Sequence, residues 1–222
     1  MSSAARRRPR RSLPALLLTA GLLAAGCGTS ADGDSEGHDH TAGAPAVVEG
    51  PEDRYAGLDL PESYRKPIFT LTDTTGAPYD FRAETAGRPT LLFFGYTECP
   101  DICPSTMADV AVALRKLDPA LVEQMQVVFV TTDPATDTPE VLGEYLGRFD
   151  ADLPTSFVGL TGAQEAVEQA QLSAGLEMAE DEGRLHSTLL LLYGTDDEAR
   201  VAFDAGNTAD DIAADLRLVT GA

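Results

Sequence analysis

The sequence predicts an α/β fold in which a mixed central sheet is covered by helices. Three observations carry that reading. Continuous apolar runs of strand length, Thr90–Gly95 and Gln126–Thr131, lack a polar face and suit strands buried on both sides. Stretches with apolar residues at helical spacing alternate with them. Turn and capping residues punctuate the boundaries.

Taken in order, Ile68-Phe69-Thr70-Leu71 and Tyr79-Asp80-Phe81 flank Asp73-Thr74-Thr75-Gly76 and predict an N-terminal antiparallel hairpin. Thr90–Gly95 is the first central strand. Pro104 suits the first position of a helix, and Met107, Val110, Ala111, Leu114 and Leu117 form its apolar stripe. Gln126–Thr131 is the next buried strand. Thr138-Pro139-Glu140 starts a helix with Val141, Leu142, Tyr145 and Phe149 on one face. A short extended piece is expected over 155–160. Thr161-Gly162-Ala163-Gln164 reads as a capping box opening another helix. Two adjacent strands are expected over 188–193 and 200–203, separated by a turn over 194–198. Thr208-Ala209-Asp210-Asp211 then caps a terminal helix that buries Ile212, Leu216 and Val219.

The N-terminal region reads differently. Residues 1–26 combine Arg6, Arg7, Arg8, Arg10 and Arg11 with an apolar segment from Leu13 to Ala25, too short to span a bilayer and typical of a signal peptide. The segment ends at Ala24-Ala25-Gly26-Cys27, which resembles a bacterial lipoprotein signal with Cys27 as the lipidated first residue; ordinary secretion with Cys27 unmodified is the alternative. Arg10-Arg11 also admits a twin-arginine route. Residues 27–64 are expected to be a flexible acidic tether, rich in Ser, Gly, Asp, Ala and Glu, carrying His38 and His40. Residues 65–222 then form one domain. The net charge of the chain is −20, and the leader holds five arginines and no acid, so the remainder is more negative still. Such a surface argues against nucleic acid and against electrostatic docking on anionic lipid.

The chemistry concentrates at Cys99 and Cys103, four residues apart at the end of the first central strand. A disulfide closing so short a loop removes little unfolded-state entropy, which favours a redox or metal role over stapling. The helix that follows turns its positive end toward the thiols and favours thiolate, needed for either role. Three intervening residues, one of them Pro100, widen the bite beyond the usual Cys-x-x-Cys. A dithiol at this place resembles the thioredoxin fold with additions. His186 is the only histidine of the predicted domain and precedes a strand expected beside the dithiol strand. Two thiolates and one imidazole suit Cu(I), or Cu(II) with an added ligand, whereas structural zinc asks for four protein ligands. Asp133 and Asp137 are accounted for by turn and helix-start chemistry, with Asp133 also placed near the dithiol by its position at a strand end.

Phe93-Phe94-Gly95-Tyr96-Thr97-Glu98-Cys99-Pro100-Asp101-Ile102-Cys103-Pro104 resembles the signature of the Sco/SenC family, and the stretch from Val130 to Glu140 resembles its second block. His186 and the strand after it resemble the third. The resemblance implies a thioredoxin-like, membrane-tethered copper protein that helps assemble the dinuclear copper centre of cytochrome c oxidase. It implies copper as Cu(I) or Cu(II), ligands Cys99, Cys103 and His186, and a copper-site subunit of the oxidase as partner. Extracytoplasmic, lipid-anchored localisation follows from the signal at Cys27. Some family members carry Asp before the histidine; here it is Leu185. A second reading is a thiol–disulfide oxidoreductase, with Cys99 and Cys103 as a redox pair that reduces the cysteines of such a subunit. A peroxidase reading is weaker: Thr97 lies two residues before Cys99 where peroxiredoxins have Thr three before, and the chain has no Trp.

Overall fold

A computed structural model describes residues 54–177 and 187–222. They form a three-layer α/β/α arrangement around an eight-stranded sheet. The strands are β1 (Leu58–Arg65), β2 (Thr70–Asp73), β3 (Pro78–Asp80), β4 (Thr90–Gly95), β5 (Gln126–Thr131), β6 (Phe157–Thr161), β7 (Leu190–Tyr193) and β8 (Glu198–Phe203). The helices are α1 (Phe81–Thr85), α2 (Ile102–Arg115), α3 (Pro119–Val122), α4 (Pro139–Asp150), α5 (Gln164–Ser173) and α6 (Ala209–Thr220). Across the sheet the order is β1-β8-β7-β4-β5-β6-β2-β3. The pairs β4/β5 and β5/β6 are parallel; β7 runs antiparallel to β4, with Leu92 opposite Leu191.

The continuous apolar runs are central because both faces are covered. On one face Leu91, Phe93, Val127, Phe129, Leu192 and Val201 pack against α2, α4 and α6. On the other, Leu92, Phe94, Val128, Val130 and Leu191 meet α5 and the hairpin residues Leu71 and Tyr79. Alternate residues of one strand thus enter separate cores, as the period of two requires.

The β2–β3 hairpin is present, and its turn is held by Asp73, whose carboxylate accepts from the Thr75 and Ala77 amides. Gly76 takes the left-handed conformation there, with φ 84°. Phe81 opens α1 rather than extending β3, because the Asp80 side chain caps the Ala83 amide. The terminal helix carries the expected capping box between Thr208 and Asp211.

Four expectations change. The acidic tether was expected to run to residue 64, yet Leu58–Arg65 is β1, paired antiparallel with β8. Helix α2 begins at Ile102, so Pro104 is its third residue and Cys103 its second. Its missing N–H is tolerated there because the first four amides of a helix have no intrahelical acceptor. Thr161 does not cap α5: it ends β6 opposite Thr72, and the N-cap is Ala163 without a side-chain bond. Strand pairing has claimed the residue that local chemistry assigned to the cap. The short helices α1 and α3 were not expected.

Candidate metal centre

Strand β4 delivers the chain to the carboxyl edge of the sheet, the usual place for a site in an open α/β sheet. A turn follows, closed by the Cys99 amide donating to the Tyr96 carbonyl at 3.3 Å. Helix α2 then starts at Ile102, and its first turn brings the Cys103 amide to 3.4 Å from Cys99 Sγ. Both cysteines are free thiols, Cys99 partly exposed and Cys103 fully buried.

The two sulfurs are electrostatically unequal. Burial acts to raise the Cys99 pKa, but bonds from the Cys103 thiol and from the Cys103, Asp101 and Ile102 amides outweigh it and hold it below the ordinary thiol value. Burial pushes the Cys103 thiol well up, and its bond to Cys99 adds to the shift. The helix N-terminus therefore favours thiolate at Cys99 alone, not at both positions as the sequence suggested. Of the two sulfurs, Cys99 is the one whose surroundings favour thiolate and Cys103 the one whose burial favours the thiol.

Two features lock this geometry. A Cβ on Gly95 would lie 2.8 Å from Cys103 Sγ and 2.8 Å from the Phe93 ring, so only glycine lets the strand pass the sulfur. Asp137, 1% exposed, ties the loop to β5: its carboxylate accepts from the Thr97 amide at 3.0 Å, the Thr97 hydroxyl at 2.5 Å and the Thr131 hydroxyl at 2.6 Å. Asp137 is thus a brace beneath the cysteine loop rather than a helix-start residue, whose cap is Thr138. Asp133 sits in the turn after β5, its amide donating to Thr131 Oγ1 at 3.0 Å. The sequence placed Asp133 near the dithiol by its strand-end position; the carboxylate bonded to the cysteine loop is that of Asp137, four residues on. Below the sulfurs, Phe93, Phe129 and Tyr145 form an aromatic floor, with ring centroids 5.9 and 5.6 Å apart along the series. The Tyr145 hydroxyl is buried without a hydrogen-bond partner among the described residues. Burial raises its pKa, and the charges of Cys103, Cys99 and Asp137 push the same way.

His186, Cys27, His38 and His40 lie outside the described residues. What the fold does show is that β7, the strand after His186, is the direct neighbour of β4 and runs antiparallel to it. The lead-in to β7 therefore reaches the sheet at the cysteine end. Among the described residues no group of three or more His, Cys, Asp or Glu side chains is arranged to hold a metal.

A model of the SCO1/SenC family matches residues 60–221. The chain belongs to the SCO1/SenC family. Its relatives include a provisionally named copper-binding protein of Stutzerimonas stutzeri, 38% identical over 161 residues, covering 67% of this chain and 76% of that protein. The mitochondrial SCO1 protein of Saccharomyces cerevisiae is 38% identical over 111 residues, 48% of this chain and 36% of the yeast protein. The chain thus spans well under two thirds of the mitochondrial protein's length. Among solved structures, apo Sco1 of Thermus thermophilus superposes with a TM-score of 0.62 at 30% identity, over 77% of this chain and all of that one. ScoI of Bradyrhizobium japonicum, solved with copper bound, gives a TM-score of 0.57 at 28% identity, over 71% of this chain and 99% of that one. The fold is accordingly the thioredoxin-like α/β fold of SCO1/SenC proteins; the hairpin expected as an N-terminal extension follows β1 and joins the sheet beside β6.

Proposed function

We propose that this protein binds copper through Cys99, Cys103 and His186 and acts in assembly of the copper centre of cytochrome c oxidase, its partner being a copper-site subunit of that enzyme. One observation carries the reading: two free thiols held side by side at a strand end, with the chain that bears His186 leading into the adjacent strand. The donor set fits the group. Thiolates are soft ligands suited to Cu(I), and the buried apolar surroundings of Cys103 suit a low-coordinate ion. The third donor comes from outside the described residues, which is the role assigned to His186. The copper-binding name of the Stutzerimonas relative and the copper-bound Bradyrhizobium structure support this reading. Cys27 is proposed as the lipid-bearing N-terminus that holds the domain on the extracytoplasmic face of the membrane.

The inequality of the sulfurs favours a second activity at the same place. Cys99 thiolate attacks a partner disulfide, forming a mixed disulfide and releasing one partner thiolate. Cys103 then attacks Cys99, closing a Cys99–Cys103 disulfide and releasing the second partner thiol. Two electrons pass from the dithiol to the partner. The closed disulfide has no thiolates for copper, so the two activities exclude each other at any moment.

The test is a copper titration of anaerobically reduced protein. One ion per chain is expected, and the Cu(II) form should show an intense thiolate charge-transfer band. His186→Ala removes a ligand but leaves the dithiol, so affinity should fall by more than the roughly 10–100-fold of an outer-shell change while disulfide formation persists. Full affinity and an unaltered spectrum in that variant would remove His186 from the site.

A further inference from the structure

Two tyrosine hydroxyls, Tyr145 on α4 and Tyr193 on β7, are buried without a hydrogen-bond partner among the described residues. A phenylalanine would fill either place without leaving a buried O–H unpaired, so each oxygen needs an explanation. Tyr193 lies in the core on the hairpin face, edge-on to Phe81 with ring centroids 6.4 Å apart, and burial alone raises its pKa. Tyr145, 5% exposed, is placed differently: it shares the opposite core with Cys103, and Cys99 packs against that core. Its ring lies 5.6 Å from that of Phe129. A Cβ on Gly95 would meet Cys103 Sγ at 2.8 Å and the Phe129 ring at 3.2 Å, so sulfur and ring crowd one side of the strand. Burial raises the Tyr145 pKa, and of the charged groups around it Cys103 acts most strongly, then Cys99 and Asp137, against Arg148.

Resting on the reading of Cys99 and Cys103 as the working pair, we infer that Tyr145 is a positioning residue for the dithiol, its O–H donating to the Cys103 sulfur once that sulfur has given up its proton. Cys103 needs such a donor. As a thiol it donates to Cys99 and accepts from the Tyr96 amide. When it closes the disulfide, or holds copper, the same sulfur carries negative charge with no exposure to water. A buried charge is tolerated only where donors meet it. The hydroxyls of Thr97 and Thr131 are already given to Asp137. Tyr145 supplies the hydroxyl in that core that the thiol state leaves unused. A phenol suits the place, because beside two sulfurs and a carboxylate it keeps its proton and stays a donor.

The main test is free of metal. Reduced, full-length protein is mixed with oxidised glutathione and quenched with acid at intervals, and the peptide bearing Cys99 and Cys103 is followed by mass spectrometry. Cys99 attacks first, taking up one glutathionyl group and releasing one glutathione. The Cys103 sulfur then closes on Cys99 and releases the second, so two protein thiols and one glutathione disulfide become one protein disulfide and two glutathiones. In Tyr145→Phe the first step should keep its rate, while the mixed disulfide should persist roughly three- to tenfold longer. Tyr193→Phe deletes the other unpaired hydroxyl and should leave both steps as in the wild type. Equal effects in the two variants, an unchanged closing step in Tyr145→Phe, or a first step slowed as much as the second would overturn the proposal. A Tyr145→Phe protein with a lower unfolding midpoint would mark the hydroxyl as structural and overturn it too. In protein loaded with Cu(II), the thiolate charge-transfer band should shift in Tyr145→Phe and stay in place in Tyr193→Phe, and a band unmoved in both would count against the inference. A protein that takes up no copper fails the functional reading alone, and the glutathione steps still decide the role of Tyr145.

Discussion

At Cys99 the local chain sets the electrostatics: three helix-start amides and the neighbouring thiol favour thiolate on one sulfur, while burial favours the thiol on the other. Alkylation resolved by mass spectrometry checks this. Cys99 should react first, with a pH midpoint below that of an ordinary thiol, because its thiolate fraction rises at lower pH; Cys103 should stay protected until the domain unfolds. Equal reactivity would refute the asymmetry. Gly95 is the second decisive residue. Gly95→Ala places a methyl against Cys103 Sγ and the Phe93 ring, and overpacking of this kind costs about 1–3 kcal/mol. The expected result is a lower unfolding midpoint and slower disulfide closure. Neither effect was legible beforehand. The spacing of the cysteines declared the dithiol but not the division of labour, which depends on which sulfur faces the amides. Asp137 was hidden for a similar reason: an Asp before Thr-Pro looks the same whether it starts a helix or braces a buried loop.

Elements differ in how openly the sequence declares them. Strands β4 and β5 are continuous apolar runs, buried along nearly their whole length, and α6 announces itself by Thr208 and Asp211. Strand β1 gives no such sign. Its residues are almost all exposed, and its place is fixed by backbone pairing with β8, which leaves no apolar pattern to read. What fastens it is Asp215 of α6, buried, accepting from the Ala56 amide at 2.9 Å and the Gly57 amide at 2.8 Å. Only glycine fits at position 57, because a Cβ there would stand 2.6 Å from the Ala202 carbonyl oxygen. Asp215→Ala should strand two amides at roughly 1–3 kcal/mol each and release β1 first, visible as early hydrogen exchange in that strand. Burial raises the Asp215 pKa, opposed by the two amides. The native state then holds its proton to higher pH than the unfolded chain, so stability falls as pH rises from the ordinary carboxylate range through the native value. Asp215→Asn should flatten that slope in urea titrations; an unchanged slope would assign it to other carboxylates.

For the molecule as a whole, the alternation of runs and stripes was enough to predict a helix-covered mixed sheet, and the cysteine block carried the family. Where the domain begins was not legible, because composition cannot distinguish an exposed edge strand from a tether. The proposed anchoring is tested at this scale: Cys27→Ala should release the protein from membranes or leave an unprocessed precursor, and normal cleavage with full membrane retention would refute it.

The direction of β1 has a mechanical consequence. Leu58 lies opposite Ala202 near the end of β8, and Phe203 at that end lies opposite Leu190, where β7 begins beside the finish of β4. The chain therefore enters the sheet at the same end that carries Cys99 and Cys103. A force applied at Arg54 therefore loads the end of the sheet on which the two thiols sit. Backbone pairing through β8 and β7 carries that load across to β4 along the cysteine edge, so the far edge of the sheet, where β3 lies, is spared it.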